Sequence, residues 1–172
     1  MIISVILIIS LLGLDQIIKQ LSIIFANPQS GDTLIKVLIP EVLEFHYLIN
    51  TGASFGMMEG EQLFFSIFTI LALLFFGYLF LSVDFKKAKI YSITVSLLIA
   101  GALGNAIDRI FRGGGVVDMI NMPVLNYILS FFNISPFIFN LADLYLNVAI
   151  VMFIIDIIFL EKKRVEVTNE EI

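Results

Sequence analysis

Apolar residues run almost without interruption through four stretches of the 172-residue chain, at about 2–25, 63–83, 90–107 and 139–160. A helix needs about 20 mainly apolar residues to cross the hydrocarbon core of a bilayer, so the pattern predicts four membrane-spanning helices. Residues 1–10 lack a basic start and a small-residue cleavage site, so they read as a retained first span rather than a secretory leader. Asp15, Gln16 and Lys19 interrupt that span and must either lie near its end or be hidden from lipid. Nearly everything else that is polar falls in the intervals 26–62, 84–89 and 108–138 and in a tail at 161–172.

The two long intervals differ in texture. Glu44-Phe45-His46-Tyr47-Leu48-Ile49-Asn50 is aromatic and β-branched and runs into the glycine-broken Thr51-Gly52-Ala53-Ser54-Phe55-Gly56, which predicts a strand and turn on the membrane surface. The second long interval opens with Gly113-Gly114-Gly115, a flexible break, then Val116-Val117-Asp118, and residues 124–132 suit a short interfacial helix or a buried segment, which would look similar. Lys86, Lys87 and Lys89 in the short interval, with Lys162, Lys163 and Arg164 in the tail, are six of the ten basic residues. Cations resist translocation, so both clusters mark the cytoplasmic side, the N-terminus is inside as well, and the long intervals face outward. No internal repeat of the kind found in transporters is visible.

Composition narrows the chemistry. With 59% hydrophobic and 15% charged residues and a mean hydropathy of +1.02, a water-soluble globule is excluded. The absence of cysteine removes disulfides, thiol nucleophiles, thiolate zinc sites and cysteine-held clusters. A single histidine, His46, rules out a multi-histidine metal site and means that any serine triad would have to run through it; its position suits a surface strand or a pH-sensitive contact. A net charge of -5 argues against a nucleic-acid partner. What remains is the chemistry of carboxylates and amides.

Ionisable groups inside a membrane are functional candidates wherever a partner can be named. Asp15 and Lys19, four residues apart with the acid first, form an intrahelical ion pair that either neutralises itself or supports a polar site. In the third span Ala100 and Gly104 have a small-xxx-small spacing for close helix approach. Gly101, Asn105 and Asp108 share a stripe there with Arg109 adjacent, and Asn105 and Arg109 are suited to hold peptide carbonyls. In the fourth span Asn140, Asp143 and Asn147 form a polar stripe that must avoid lipid. Asp118 can be brought beside Asp143, and two carboxylates in a partly dry site share one proton and act together as acid and base without metal or cofactor. From spacing alone, Asp108 or Asp15 could replace either member. A proton-coupled carrier relaying through Asp15, Asp108 and Asp143 is the alternative. Asp156 reads as a residue that snorkels to the inner aqueous end or meets lysines there, the phenylalanine run from Phe64 to Phe76 as lipid-facing bulk, and the acidic tail as solvated.

Five segments taken in order are specific: Asp15-Gln16-Ile17-Ile18-Lys19, Asn50-Thr51-Gly52-Ala53-Ser54-Phe55-Gly56, Gly101-Ala102-Leu103-Gly104-Asn105-Ala106-Ile107-Asp108-Arg109, Val116-Val117-Asp118 and Phe139-Asn140-Leu141-Ala142-Asp143. Together the set resembles the motifs of the bacterial lipoprotein signal peptidases (signal peptidase II). The resemblance implies an all-α membrane protein, a single integral-membrane peptidase domain over residues 1–172. Its four transmembrane helices would carry a small extracytoplasmic β-sheet, formed largely by the first outer interval, and a short interfacial helix. It implies an aspartic endopeptidase of the bacterial cytoplasmic membrane that removes signal peptides from diacylglyceryl-modified prolipoproteins, cleaving before the lipidated cysteine, and that is inhibited by globomycin. It further implies Asp118 and Asp143 as the catalytic pair. Asn50, Gly52, Asn105, Arg109 and Asn140 would line the substrate and inhibitor site, with Asp15, Lys19 and Asp108 supporting it. Membrane lipid is an expected partner, and a single chain suffices for the site. One departure is Leu144-Tyr145, which follows Asp143 where the family usually has a small hydroxylated residue.

Overall fold

The computed structural model describes residues 1–26, 33–51, 62–112 and 115–160. Helix α1 (Ile2–Phe25) buries Ser4, Asp15, Lys19 and Ser22 while Ile2, Ile6, Ile9, Ile17 and Ile24 are exposed. That arrangement inverts a water-soluble helix and suits hydrocarbon, where apolar groups face the solvent and polar groups must find partners inside. Helices α3 (Lys89–Phe111) and α5 (Leu141–Ile155) follow the same logic, α5 running on through a π-helical turn at Asp156–Leu160. Among the described residues three helices, Ile2–Phe25, Lys89–Phe111 and Leu141–Phe159, are long and apolar enough to cross a membrane, and α2 (Gln62–Phe80) contributes the shorter apolar stretch Phe64–Phe80. The third helix extends past the expected boundary at 107, because Asp108 and Arg112 pair across one turn and carry the helix into polar surroundings.

The centre of the bundle is built from small and hydroxyl-bearing residues of α3. Ser92, Thr94 and Ser96 are buried and return their hydroxyl protons to the carbonyls of Ala88, Ile90 and Ser92 four residues earlier. Gly101 and Gly104 form the seam with α5: a Cβ at Gly101 would lie 2.6 Å from the Ala142 carbonyl oxygen, and one at Gly104 would lie 2.7 Å from Asp15 Oδ2 and 2.9 Å from Ala142 Cβ. The residues that admit the partner helix are therefore this pair, with Ala100 fully buried beside them.

Outside the bundle lies a four-stranded antiparallel sheet in the order β1 (Leu34–Ile39), β2 (Leu43–Asn50), β3 (Val116–Asn121), β4 (Ile138–Phe139). The expected strand at 44–50 is β2. The sheet does not come largely from the first outer interval: β1 and β2 come from the first long interval and β3 and β4 from the chain between α3 and α5, and Asp118 lies on buried β3. Gly115 makes this pairing possible, since it holds φ +126° and a side chain there would collide with the Asn50 carbonyl. The short helix expected at 124–132 is α4 (Pro123–Ser130), with Val124, Tyr127 and Ile128 exposed. The acidic tail and the Gly52–Gly56 motif lie outside the described residues.

Gly104→Ala should lower stability by about 1–3 kcal/mol, because Asp15 is held by other bonds and cannot yield. Thermal unfolding of the purified variant in detergent measures the loss.

Candidate active site

Four elements converge where α1, α3, β3 and the start of α5 meet. Lys19, fully buried, places Nζ 3.0 Å from Asp15 Oδ2 and 2.8 Å from Asp108 Oδ2, and donates to the Gly104 carbonyl and to Asn105 Oδ1. Both aspartates also hold backbone: Asp15 Oδ1 accepts from the Ala142 amide at 3.0 Å, and Asp108 Oδ2 from the Val117 amide at 3.1 Å. Arg112 Nε meets Asp108 Oδ1 at 2.8 Å, and Gln16 bonds to Asp15, Asp108 and Arg112. Two aspartates and two cations thus balance.

Asp118 and Asp143 sit beside this cluster and are held by amides instead. Asn50 Nδ2 donates to Asp118 Oδ2 at 2.9 Å and Asn140 Nδ2 to Asp118 Oδ1 at 2.7 Å. Asn105 Nδ2 donates to Asp143 Oδ1 at 2.7 Å. Asn140 and Asp143 form a capping box at the start of α5, in which Asp143 N donates to Asn140 Oδ1 (2.9 Å) and Asn140 N to Asp143 Oδ2 (3.2 Å). Asn140, fully buried, is thus bonded to both acids and also to Asn105 Oδ1. It caps the helix rather than continuing a stripe along it, and Asn147 is exposed with its amide on the Asp143 carbonyl.

Burial pushes the Asp118 carboxyl up to about 7, the nearby charge of Asp143 adds to this, and the Asn50 and Asn140 donors and Lys19 oppose it. Asp118 therefore keeps its proton near neutrality where an exposed aspartate would not. Such a pair can withdraw a proton from water with one member while the other donates to a carbonyl oxygen.

Arg109 lies at the mouth of an apolar groove between α2, α3 and α5, of about 450 Å³, lined among others by Phe65, Phe76, Leu98, Leu146 and Phe153. Its guanidinium carbon is 5.6 Å from the Phe65 ring centroid. Asn105 also reaches the groove, but its carbonyl oxygen serves Lys19 and Asn140, so its side chain orders the site.

The apolar inside-out bundle, the buried acids and the motif order now point one way, and the comparisons decide it. The family model described as signal peptidase (SPase) II matches residues 7–159. The chain belongs to the signal peptidase II family. It is an aspartic-type peptidase of a bacterial membrane. A lipoprotein signal peptidase of Enterococcus faecalis is 38% identical over 159 residues, covering 92% of this chain and 89% of that one. A lipoprotein signal peptidase of Lactococcus lactis is 40% identical over 148 residues, covering 84% and 85%. A bacterial membrane enzyme solved by the in meso method at 1.9 Å resolution superposes with a TM-score of 0.74 at 30% identity, covering 91% of this chain and 92% of that one.

Of the residues singled out from sequence, Asp15, Lys19, Asn50, Asn105, Asp108, Arg109, Asp118, Asn140 and Asp143 gather in this region of the peptidase, and Gly52 lies outside the described residues. Sequence reasoning missed Gln16 and Arg112, although Arg112 stands four residues after Asp108 and could have been read as its partner. At the departure after Asp143, Leu144 faces outward and Tyr145 is buried with its hydroxyl 3.4 Å from the Leu11 carbonyl. Asp156 does not reach water: it is 1% exposed, its side chain turned into the protein. His46 is nearly buried in the sheet beside Glu44.

Lys19→Met leaves two buried carboxylates facing one another and should destabilise the protein by about 3–5 kcal/mol. Comparing its detergent melting curve with wild type tests this; an unchanged curve would contradict the buried ion-pair assignment.

Proposed function

We propose that this peptidase removes the signal peptide from prolipoproteins whose cysteine carries a diacylglyceryl group, cleaving just before that cysteine, with Asp118 and Asp143 as the catalytic pair. The observation that carries the reading is Asn140, whose side chain donates to the Asp118 carboxylate and accepts the backbone amide of Asp143, while its own backbone amide donates to the Asp143 carboxylate. Of the four aspartates around the site, these two are held by neutral amides, while Asp15 and Asp108 are matched to Lys19 and Arg112. The names of the curated relatives agree with the substrate class.

In the proposed reaction the ionised carboxylate takes a proton from water as the oxygen attacks the scissile carbonyl. The protonated carboxyl donates to the carbonyl oxygen, and the proton taken from water passes to the departing amine. Arg109 and Asn50 border the reacting peptide, with Asn105 and Asn140 fixing the acids. The signal peptide is itself an apolar helix and enters sideways from lipid. The groove below Arg109 takes up its apolar side chains, and the acyl chains remain in the bilayer.

The proposed topology has four spans, α1, α2, α3 and α5, with both termini cytoplasmic. The Lys86–Lys87–Lys89 turn lies inside, and the sheet and α4 lie at the outer surface as a cradle over the site. One chain contains all the groups invoked. Globomycin-type inhibitors are expected to occupy the same site.

Asp118→Asn and Asp143→Asn should each reduce release of the signal peptide from a diacylated prolipoprotein by about 10²- to 10⁴-fold while leaving the melting curve intact. Substantial cleavage by either purified variant sinks the assignment. Cleavage should persist with chelator present. With the Asp118 carboxyl pushed up to about 7, the pair keeps its shared proton up to neutrality. A pH–rate profile of the wild type should therefore fall as pH rises above about 7, where the second carboxyl ionises.

A further inference from the structure

A second polar network occupies the far end of the sheet, and none of its side chains touches the two acids. Glu44 Oε2 on β2 lies 2.9 Å from His46 Nε2 and accepts from Asn121 Nδ2 on β3 at 2.6 Å. Asn121 Oδ1 accepts from Asn126 Nδ2 on α4 at 2.7 Å. Asn126 then grips the backbone of Phe137 from both sides, donating from Nδ2 to its carbonyl at 3.3 Å and accepting its amide on Oδ1 at 3.2 Å.

The chemistry gives this relay a direction. An ionised carboxylate only accepts, so Glu44 turns the amide of Asn121 to present its carbonyl to α4. That in turn fixes which end of Asn126 faces Asn121 and which receives the Phe137 amide. The interactions with His46 and Asn121 hold the Glu44 carboxyl below the usual range, in its ionised form. The start of α4 is tied to the β1–β2 turn by the Val124 amide on the Glu41 carbonyl at 3.0 Å, so the helix bearing Asn126 is anchored to the sheet.

Phe137 leads directly into β4, whose two residues pair with Ile120 and Asn121 and then deliver Asn140. So short a strand holds its register weakly by itself. We propose that Asn126 is a positioning residue for the reaction: by clamping Phe137 it sets the placement of β4 and hence of the Asn140 amide that joins Asp118 to Asp143. The proposal rests on the dyad reading above.

The test is steady-state cleavage by Asn126→Ala and Glu44→Gln with diacylated prolipoprotein in detergent, each as a full pH profile beside a melting curve. Displacing Asn140 weakens donors to the ionised acids. Asn126→Ala should therefore lower kcat by about ten- to a hundredfold with KM little changed, and the pH profile should move upward by about half a unit or more. Glu44→Gln, which removes the directing charge but keeps the shape, should show the same displacement in smaller degree and serves alone if Asn126→Ala fails to fold. A wild-type kcat and pH profile in the folded variants overturns the proposal, as does a loss of rate that tracks the folded fraction with no pH displacement. Asp118→Asn and Asp143→Asn run alongside. If they retain activity the dyad reading itself fails, whereas if they are inactive and the positioning variants behave as wild type, only the role of Asn126 falls.

Discussion

A lysine surrounded by hydrocarbon is tolerable only if its charge is met on the spot, and the arrangement around Lys19 follows from that constraint. Its ammonium lies between carboxylates from two helices, Asp15 on α1 and Asp108 on α3. Each carboxylate also holds a backbone amide of a further element: Asp15 takes the Ala142 amide at the start of α5 on its second oxygen, and Asp108 takes the Val117 amide of β3 on the oxygen that meets Lys19 while its other oxygen meets Arg112. One buried cation therefore sets where two helices, the beginning of another and a strand meet. Breaking any arm leaves a bare charge in a dry place, so the cluster holds together as a unit. The glycine at 104 is a consequence, since Asp15 approaches closely there.

The same region separates its acids by the kind of partner each receives. Asp15 and Asp108 face the cations Lys19 and Arg112. Asp118 and Asp143 face asparagine amides, which orient a carboxylate without neutralising it. Burial can then act on Asp118, and its carboxyl holds a proton near neutrality. The structural acids and the acids of the proposed dyad lie within one cluster, separated by a layer of amides in which Asn105 touches both Lys19 and Asp143. The apolar groove ending at Arg109 supplies the complementary requirement, a dry approach for an apolar substrate.

Legibility varied with the range of the interaction. The helices were visible because apolar runs of about 20 residues have one meaning in a membrane, and the Asp15–Lys19 pair because four residues make one helical turn. Asn140 and Asp143 were legible as neighbours, but not as a capping box, because a polar pair at a helix start and one on a helix face have the same spacing. Strand β3 carried no local signal: Val116-Val117-Asp118-Met119 is buried on both faces, its acid included, and such a strand shows no alternation. The Glu44–Asn121–Asn126–Phe137 relay carried no signal, since each link joins residues whose proximity depends on how the sheet is closed.

The sequence by itself determined that this chain lives in a membrane, that its chemistry belongs to carboxylates and amides, and, through the order of its motifs, which family it belongs to. These are properties of composition and of local spacing, which survive in an unfolded chain. Only the tertiary structure decided which acids pair with cations and which with amides. It also brought Asp118 on a strand to the site shared with Asp143 at a helix terminus, and made a single asparagine the link between them. Those outcomes depend on the crossing of α1, α3, α5 and the sheet, a geometry fixed by buried charge seeking its partner across residues as distant as Asp15 and Ala142.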